Sequence, residues 1–162
     1  MLISLYNLQI GRYIEIVKSK KMKKQITHVH AFHEAFGIKN EQSPVAEVDQ
    51  KTIALRYELM REENEEYLEA AQKGDLVEVA DALGDMLYIL CGTILSHGLQ
   101  DVMEDVFDEI QRSNMSKLDE NGEPIYREDG KVLKGKNYFR PNIKSVLENR
   151  AETLKQFRKS HE

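Results

Sequence analysis

The alternation of apolar and polar positions predicts a helical chain. From Ile26 to Phe36 the apolar residues Ile26, Val29, Phe32 and Phe36 recur at helical spacing, and Gly37 supplies a stop. Gly37 to Pro44 reads as a loop. A long helix follows from Asp49 to Gln72, ending at the Lys73-Gly74 turn. Asp75 is placed to cap a third helix, Leu76 to about Ser96, whose end is marked by His97-Gly98. Asp101 to about Asn114 carries Val102, Val106, Phe107 and Ile110 on one side, an amphipathic fourth helix.

After Lys117 the texture changes. Asn121-Gly122 and Asp129-Gly130 are turn dipeptides, and Ile125-Tyr126 and Val132-Leu133 flank the second, which predicts a short hairpin. Lys134 to Pro141 reads as a loop or lid. Asn142 then caps a final helix bearing Ile143, Val146, Leu147, Leu154 and Phe157. The expected architecture is all-α: a four-helix core, a short C-terminal β-hairpin and a tail helix. Its parts are a basic N-terminal extension over 1–24, one domain over 25–143 and a helical tail over 144–162.

Composition narrows the class. At 162 residues, 41% apolar and 31% charged, the chain has the size of one domain and is neither a disordered tail nor a membrane protein. No stretch approaches the roughly 18 uninterrupted apolar residues of a membrane-crossing helix. The start lacks the plan of a signal peptide, and the single cysteine, Cys91, excludes an internal disulfide framework and a cysteine zinc cage; both fit a cytoplasmic protein.

Charge is unevenly placed. Residues 1–24 carry six basic side chains against Glu15, while residues 58–85 carry ten acids against Arg61 and Lys73. The Lys18–Lys24 run reads as a solvated charge run, with Met22 inside it as an alternative start that would make 1–21 an extension. So acidic a body is a poor partner for nucleic acid, and no stable nucleic-acid binding is expected.

The acids are patterned. At about 100° per residue Glu62, Glu66 and Glu69 stack on the second helix, with Glu63 on their flank. Alone, such a stretch is a solvated face. The third helix alters that reading. LVEVADALGDMLYIL is apolar on nearly every side and is expected to be a buried central helix, yet Glu78, Asp81 and Asp85 fall within roughly 60° of arc on it. Unpaired buried ions cost several kcal/mol each, and no Lys or Arg occurs from residue 74 through 111. The countercharge must be either basic groups from other segments or a divalent cation. The Gly74 turn makes the two helices antiparallel neighbours, so Glu62, Glu63 and Glu66 can face Glu78, Asp81 and Asp85. Hard oxygen ligands without Cys or His suit Mg²⁺, with Mn²⁺ as a substitute.

A carboxylate-held Mg²⁺ is usually completed by phosphate oxygens. No P-loop, dinucleotide turn or kinase signature is present. Arg112, Lys117, Lys134, Lys136 and Arg140 supply cations for a polyphosphate, and Tyr138 and Phe139 are either packing or a platform for a base.

Glu63-x-x-Glu66 followed by Glu78-x-x-Asp81 resembles the ExxE…ExxD signature of the all-α nucleoside triphosphate pyrophosphohydrolases. The run EENEEYLEA…LVEVADALGDMLYILCGT, with RSNMSKL and VLKGKNYFRP after it, is similar to the MazG-like and phosphoribosyl-ATP pyrophosphohydrolase-like branch, over roughly 26–143. Eleven residues separate Glu66 from Glu78, the short end of that family's gap. Glu62-x-x-Glu65 offers another frame, but Glu65 points off the Glu62/Glu66 stripe. The resemblance implies Mg²⁺-dependent hydrolysis of an NTP or dNTP, dUTP first, to the monophosphate and pyrophosphate. Glu63, Glu66, Glu78 and Asp81 would hold metal, and Glu62 or Glu63 would act on the attacking water. Asp85, Asn114, Lys117, Lys134, Asn137 and Tyr138 would bind substrate. It also implies a homodimer or dimer of dimers. Phosphoribosyl-ATP hydrolysis is the alternative reaction, and a non-catalytic helical metal-binding or oligomerisation module the alternative class. His28, His30 and His33, without an HExxH pattern, read as surface or packing histidines, with His33 near the site's edge.

Overall fold

The computed structural model describes residues 22–159, with side chains to Thr153. The expectations for residues 1–21, including the alternative start and most of the basic run, lie outside the described residues, as do the side chains of Leu154 and Phe157. The helices are α1 (Lys23–Ala35), α2 (Gln50–Lys73), α3 (Leu76–Ser96), α4 (Met103–Met115) and α5 (Ile143–Lys159). Two compact units divide the chain after Gln100.

In the first unit α2 packs along α3, and α1 packs on α3. Helix borders follow from side-chain chemistry. Asp49 caps α2 by accepting from the Thr52 backbone N–H at 3.0 Å and from its hydroxyl at 2.7 Å. Asp75 caps α3 through the N–H groups of Val77 at 3.0 Å and Glu78 at 3.3 Å. Between them Gly74, at φ 71°, takes the left-handed conformation that lets α3 turn back antiparallel to α2.

The core is concentrated at the C-terminal half of α3. Ile89, Cys91, Ile94 and Leu95 are buried there, Ile26 and Val29 are buried on α1, and Ala82 and Ala70 are buried nearer the Gly74 turn. Phe32 of α1 meets Tyr88 edge-on at 5.7 Å between ring centroids. The loop after α1 is pinned to the same end of α3. Glu41 donates its backbone N–H to the Leu95 carbonyl and Val45 to that of His97, each at 3.0 Å. The Gln100 amide donates to the Glu41 carbonyl, also at 3.0 Å. Gly98 permits this: its φ is 64°, and a Cβ there would fall 2.1 Å from the Ser43 carbonyl oxygen.

The expected burial of α3 on nearly every side is corrected. Leu76 is 79% exposed, Val77 74%, Leu83 49%, Leu87 41% and Leu90 46%. α1 and α2 cover only part of the helix, so Leu76, Leu83, Leu87 and Leu90 form a bare stripe within about 60° of arc, opposite the carboxylate stripe. By length and composition α3 is apolar enough to cross a membrane, a property it shares with core helices of soluble proteins.

The second unit pairs α4 with α5. Asn142 caps α5, accepting from the Ser145 N–H at 3.1 Å, and its own N–H donates to Glu109 Oε1 of α4 at 2.7 Å. The expected hairpin is reduced: among the described residues no strand forms, only one antiparallel bridge between Tyr126 and Val132. The Arg127 N–H donates to the Lys131 carbonyl at 2.8 Å and the Leu133 N–H to the Ile125 carbonyl at 2.7 Å, and the ladder goes no further because Pro124 has no N–H and the Gly135 N–H donates to the Lys117 carbonyl.

Candidate functional site

The α2–α3 pair places the acids of both helices on facing sides. Glu63 is the inward member: it is half-buried, and its Oε2 is out of contact with solvent with no hydrogen-bond partner. Burial pushes its carboxyl above the ordinary carboxylate range, and the negative charges of Glu66, Asp85, Asp81 and Glu62 push it further. The structure thus gathers Glu62, Glu63 and Glu66 of α2 with Asp81 and Asp85 of α3. Glu78 lies at the first turn of α3, within reach of the Asp75 cap.

Glu62, Glu66, Glu78, Asp81 and Asp85 are exposed. Among the described residues no three acids close into a ready metal cage. Like-charged carboxylates splay toward water, where hydration is strongest and mutual repulsion least. The donor set nevertheless fits a hard divalent cation: it is all oxygen and strongly anionic, the nearby Arg61 and Lys73 are paired to Glu58, Glu65 and Glu69, and one of its oxygens is orphaned. Glu65, the second acid of the competing frame, has both oxygens held by Arg61 Nη1 at 2.7 Å on another face of α2. Glu69 is likewise tied to Lys73.

The remaining expected residues belong to the second unit. Lys117 Nζ donates to Asn114 Oδ1 at 2.8 Å, and the Gly135 N–H donates to the Lys117 carbonyl at 3.0 Å, so the SNMSK and KGKNY segments meet. Lys134 Nζ lies 4.4 Å from the centroid of the Tyr138 ring, and Arg112 lies at the same distance from that of Phe139. Asn137 is exposed between them. The Phe139 carbonyl accepts from the Ser113 hydroxyl at 2.8 Å, and its N–H donates to the Ser116 hydroxyl at 3.2 Å; Phe139 is therefore a packed residue, and Tyr138 is the freer aromatic.

The histidines divide as read from the sequence: His28 is exposed, His30 faces Glu34 at 3.7 Å, and His33 is packed, at 2% exposure. Sequence reasoning missed the partner of His33. Arg56 of α2 reaches its ring at 3.2 Å, and the signal that could have found it is Gly92, a glycine inside an otherwise bulky helix.

No curated protein matches the chain. The family model described as phosphoribosyl-ATP pyrophosphohydrolase matches residues 29–114, a span that contains every acid of the α2–α3 cluster together with Asn114. Members of that family are pyrophosphohydrolases, hydrolases acting on acid anhydrides. The chain, with its ExxE and ExxD acids on two antiparallel helices, belongs to the phosphoribosyl-ATP pyrophosphohydrolase family.

Proposed function

We propose that the protein hydrolyses a nucleoside triphosphate, dUTP first among the candidates, to the monophosphate and pyrophosphate in the presence of Mg²⁺. The observation that carries this reading is the orphaned Glu63 oxygen amid four further carboxylates. Glu63, Glu66, Glu78 and Asp81 would hold the ion, with Mn²⁺ as a substitute. When bound, Mg²⁺ neutralises triphosphate charge and acidifies a coordinated water.

The chain's own residues supply the rest. One water is added across the anhydride between the α- and β-phosphoryl groups: its oxygen joins phosphorus, the bridging P–O bond breaks, and its proton passes to a carboxylate. Glu62 or Glu63 would take that proton. Lys117 and Lys134 are assigned to phosphate oxygens, and Asn114, Asn137, Tyr138 and Asp85 to sugar or base. Lys134 stacking on Tyr138 means that a base and this cation compete for one ring face.

The exposed stripe of Leu76, Leu83, Leu87 and Leu90 supports a homodimer or dimer of dimers, because a bare apolar stripe of this kind marks an interaction surface. The free, buried Cys91 supports a cytoplasmic location. The family's description favours a second substrate, phosphoribosyl-ATP, cleaved by the same addition of water.

Pyrophosphate release from a panel of NTPs, dNTPs and phosphoribosyl-ATP, with Mg²⁺, Mn²⁺ or EDTA, tests the reading. The expected result is release that requires metal and disappears in Glu66→Gln. Release with phosphoribosyl-ATP alone would select the second substrate. Silence across the panel from folded protein would sink the enzymatic reading.

A further inference from the structure

Two turns from the carboxylates, the same helix pair carries a second polar cluster with no metal-ligand character. His33 of α1 is almost wholly buried. Its Nδ1 lies 2.6 Å from Asn40 Oδ1 and its Nε2 lies 3.2 Å from Arg56 Nη2. A guanidinium can only donate, so Nε2 must accept; the ring is then neutral, and its Nδ1–H donates to the Asn40 oxygen. Arg56 is half-buried, its Nε has no hydrogen-bond partner, and among the described residues no carboxylate pairs with it. Among the described residues the only side chain that holds its guanidinium is the acceptor His33.

The helix register ties this node to the acids. Arg56 lies against Gly92 of α3, where an added Cβ would fall 2.8 Å from Arg56 Nη1 and 3.1 Å from His33 Nε2. Glu63 follows Arg56 by seven residues on α2, and Asp85 precedes Gly92 by seven on α3. On antiparallel helices both steps run the same way, so Arg56/Gly92 and Glu63/Asp85 are equivalent pairs two turns, about 10 Å, apart. At the second pair like charges push the helices apart; at the first a neutral histidine holds α2 down on α3. Asn40 completes the brace, because its loop is pinned by Glu41 to the end of α3.

We propose that Arg56, held by neutral His33 against Gly92, is a positioning residue that keeps Glu63 of α2 in register with Asp81 and Asp85 of α3 against their mutual repulsion. Its link to metal rests on the proposed site above; its hydrogen-bond geometry does not.

The test measures Mn²⁺ affinity of the full chain by water-proton relaxation, well below the melting temperature. Arg56→Met and His33→Phe should each weaken Mn²⁺ binding about tenfold, the low end of what support behind metal ligands is worth. The double variant should be no worse than either single one. His33→Gln, whose amide oxygen still accepts from Arg56, should stay near wild type. Gly92→Ala, which displaces the guanidinium without altering any charge, should weaken binding as Arg56→Met does. Val29→Ala, a core change on α1, should lower the melting temperature and leave Mn²⁺ affinity unchanged.

Wild-type affinity in Arg56→Met, or an equal loss in Val29→Ala, would overturn the positioning role. Absence of Mn²⁺ binding in the wild type, or its persistence in Glu66→Gln, would instead show that the metal site itself has failed. The node is then judged alone by the ¹⁵N spectrum of His33: a protonated Nδ1 supports it, and a protonated Nε2 overturns it.

Discussion

The two ends of the α2–α3 pair are built on opposite terms. Toward the end of α3 most requirements are met: Leu95 and Cys91 are fully buried, Gly98 accommodates the loop carbonyl, and the Leu95 and His97 carbonyls take the loop amides, with only Arg56 Nε and Gln100 Oε1 left unpartnered there among the described residues. Toward the Gly74 turn little is met. Carboxylates face one another, Glu63 holds an orphaned oxygen, and leucines stand in water on the far side. Residual stability of a small domain is only about 5–15 kcal/mol, so an end this unsatisfied survives because the other end is well packed. On the proposed function, ligand and partner would add there what the fold lacks.

Exchanging damage between the two ends tests this contrast. Leu95→Ala should cost about 3 kcal/mol in denaturant unfolding, through lost transfer energy and a cavity, while metal-dependent turnover per folded molecule persists. Asp81→Asn should do the reverse, lowering turnover by at least about a hundredfold with the fold intact, and raising the melting temperature in chelator as one repelling charge is removed. A more stable but inactive Leu95→Ala, or a fully active Asp81→Asn, would end the comparison.

Smaller effects sharpen it. Leu83→Glu with Leu87→Glu should convert oligomer to monomer in sedimentation while changing the unfolding energy of the monomer by no more than about 0.5 kcal/mol, since both sites are already exposed. An unchanged oligomer would clear the leucine stripe of that role.

The smallest effect is set by pH at the satisfied end. Burial holds the His33 imidazole below its ordinary value, with Arg56 of α2 and His30 on its own helix acting the same way, while the hydrogen bond to Asn40 in the loop opposes them. The folded chain therefore resists a proton that the unfolded chain accepts. His33 contributes its full stability above about pH 6.5, and this is lost progressively as pH falls below that value toward the folded-state pKa. Unfolding energies of wild type and His33→Gln compared at pH 7.5, 6 and 5 should converge as pH falls.

Much of this arrangement was legible in the chain because the signals are local. Asp75 and Asn142 cap the helices they were expected to cap, Asp49 stands at the expected start of its helix, Gly74 turns as a left-handed residue, and the seven-residue logic of a helix places the acids. What was not legible depends on coverage and competition. Nothing in LVEVADALGDMLYIL states how many neighbours α3 has, so apolarity on all sides does not translate into burial on all sides. The turn dipeptides at Asn121-Gly122 and Asp129-Gly130 did make turns, but the ladder beside the second stops after one bridge, where Pro124 lacks an N–H and the Gly135 N–H goes to Lys117. Arg56 carried no motif; its meaning comes from Gly92, far away in sequence and one helix across.

Gly92 also limits how the protein can be engineered. Glycine inside a helix costs roughly 0.5–1 kcal/mol relative to alanine, and replacing it is a standard route to a hardier variant. α3 offers two such positions. At Gly84 an added methyl meets nothing within 4 Å, whereas at Gly92 it drives into the Arg56 guanidinium. A screen for heat resistance would therefore welcome Gly84→Ala, with Gly92→Ala the change that looks equivalent by composition and is not.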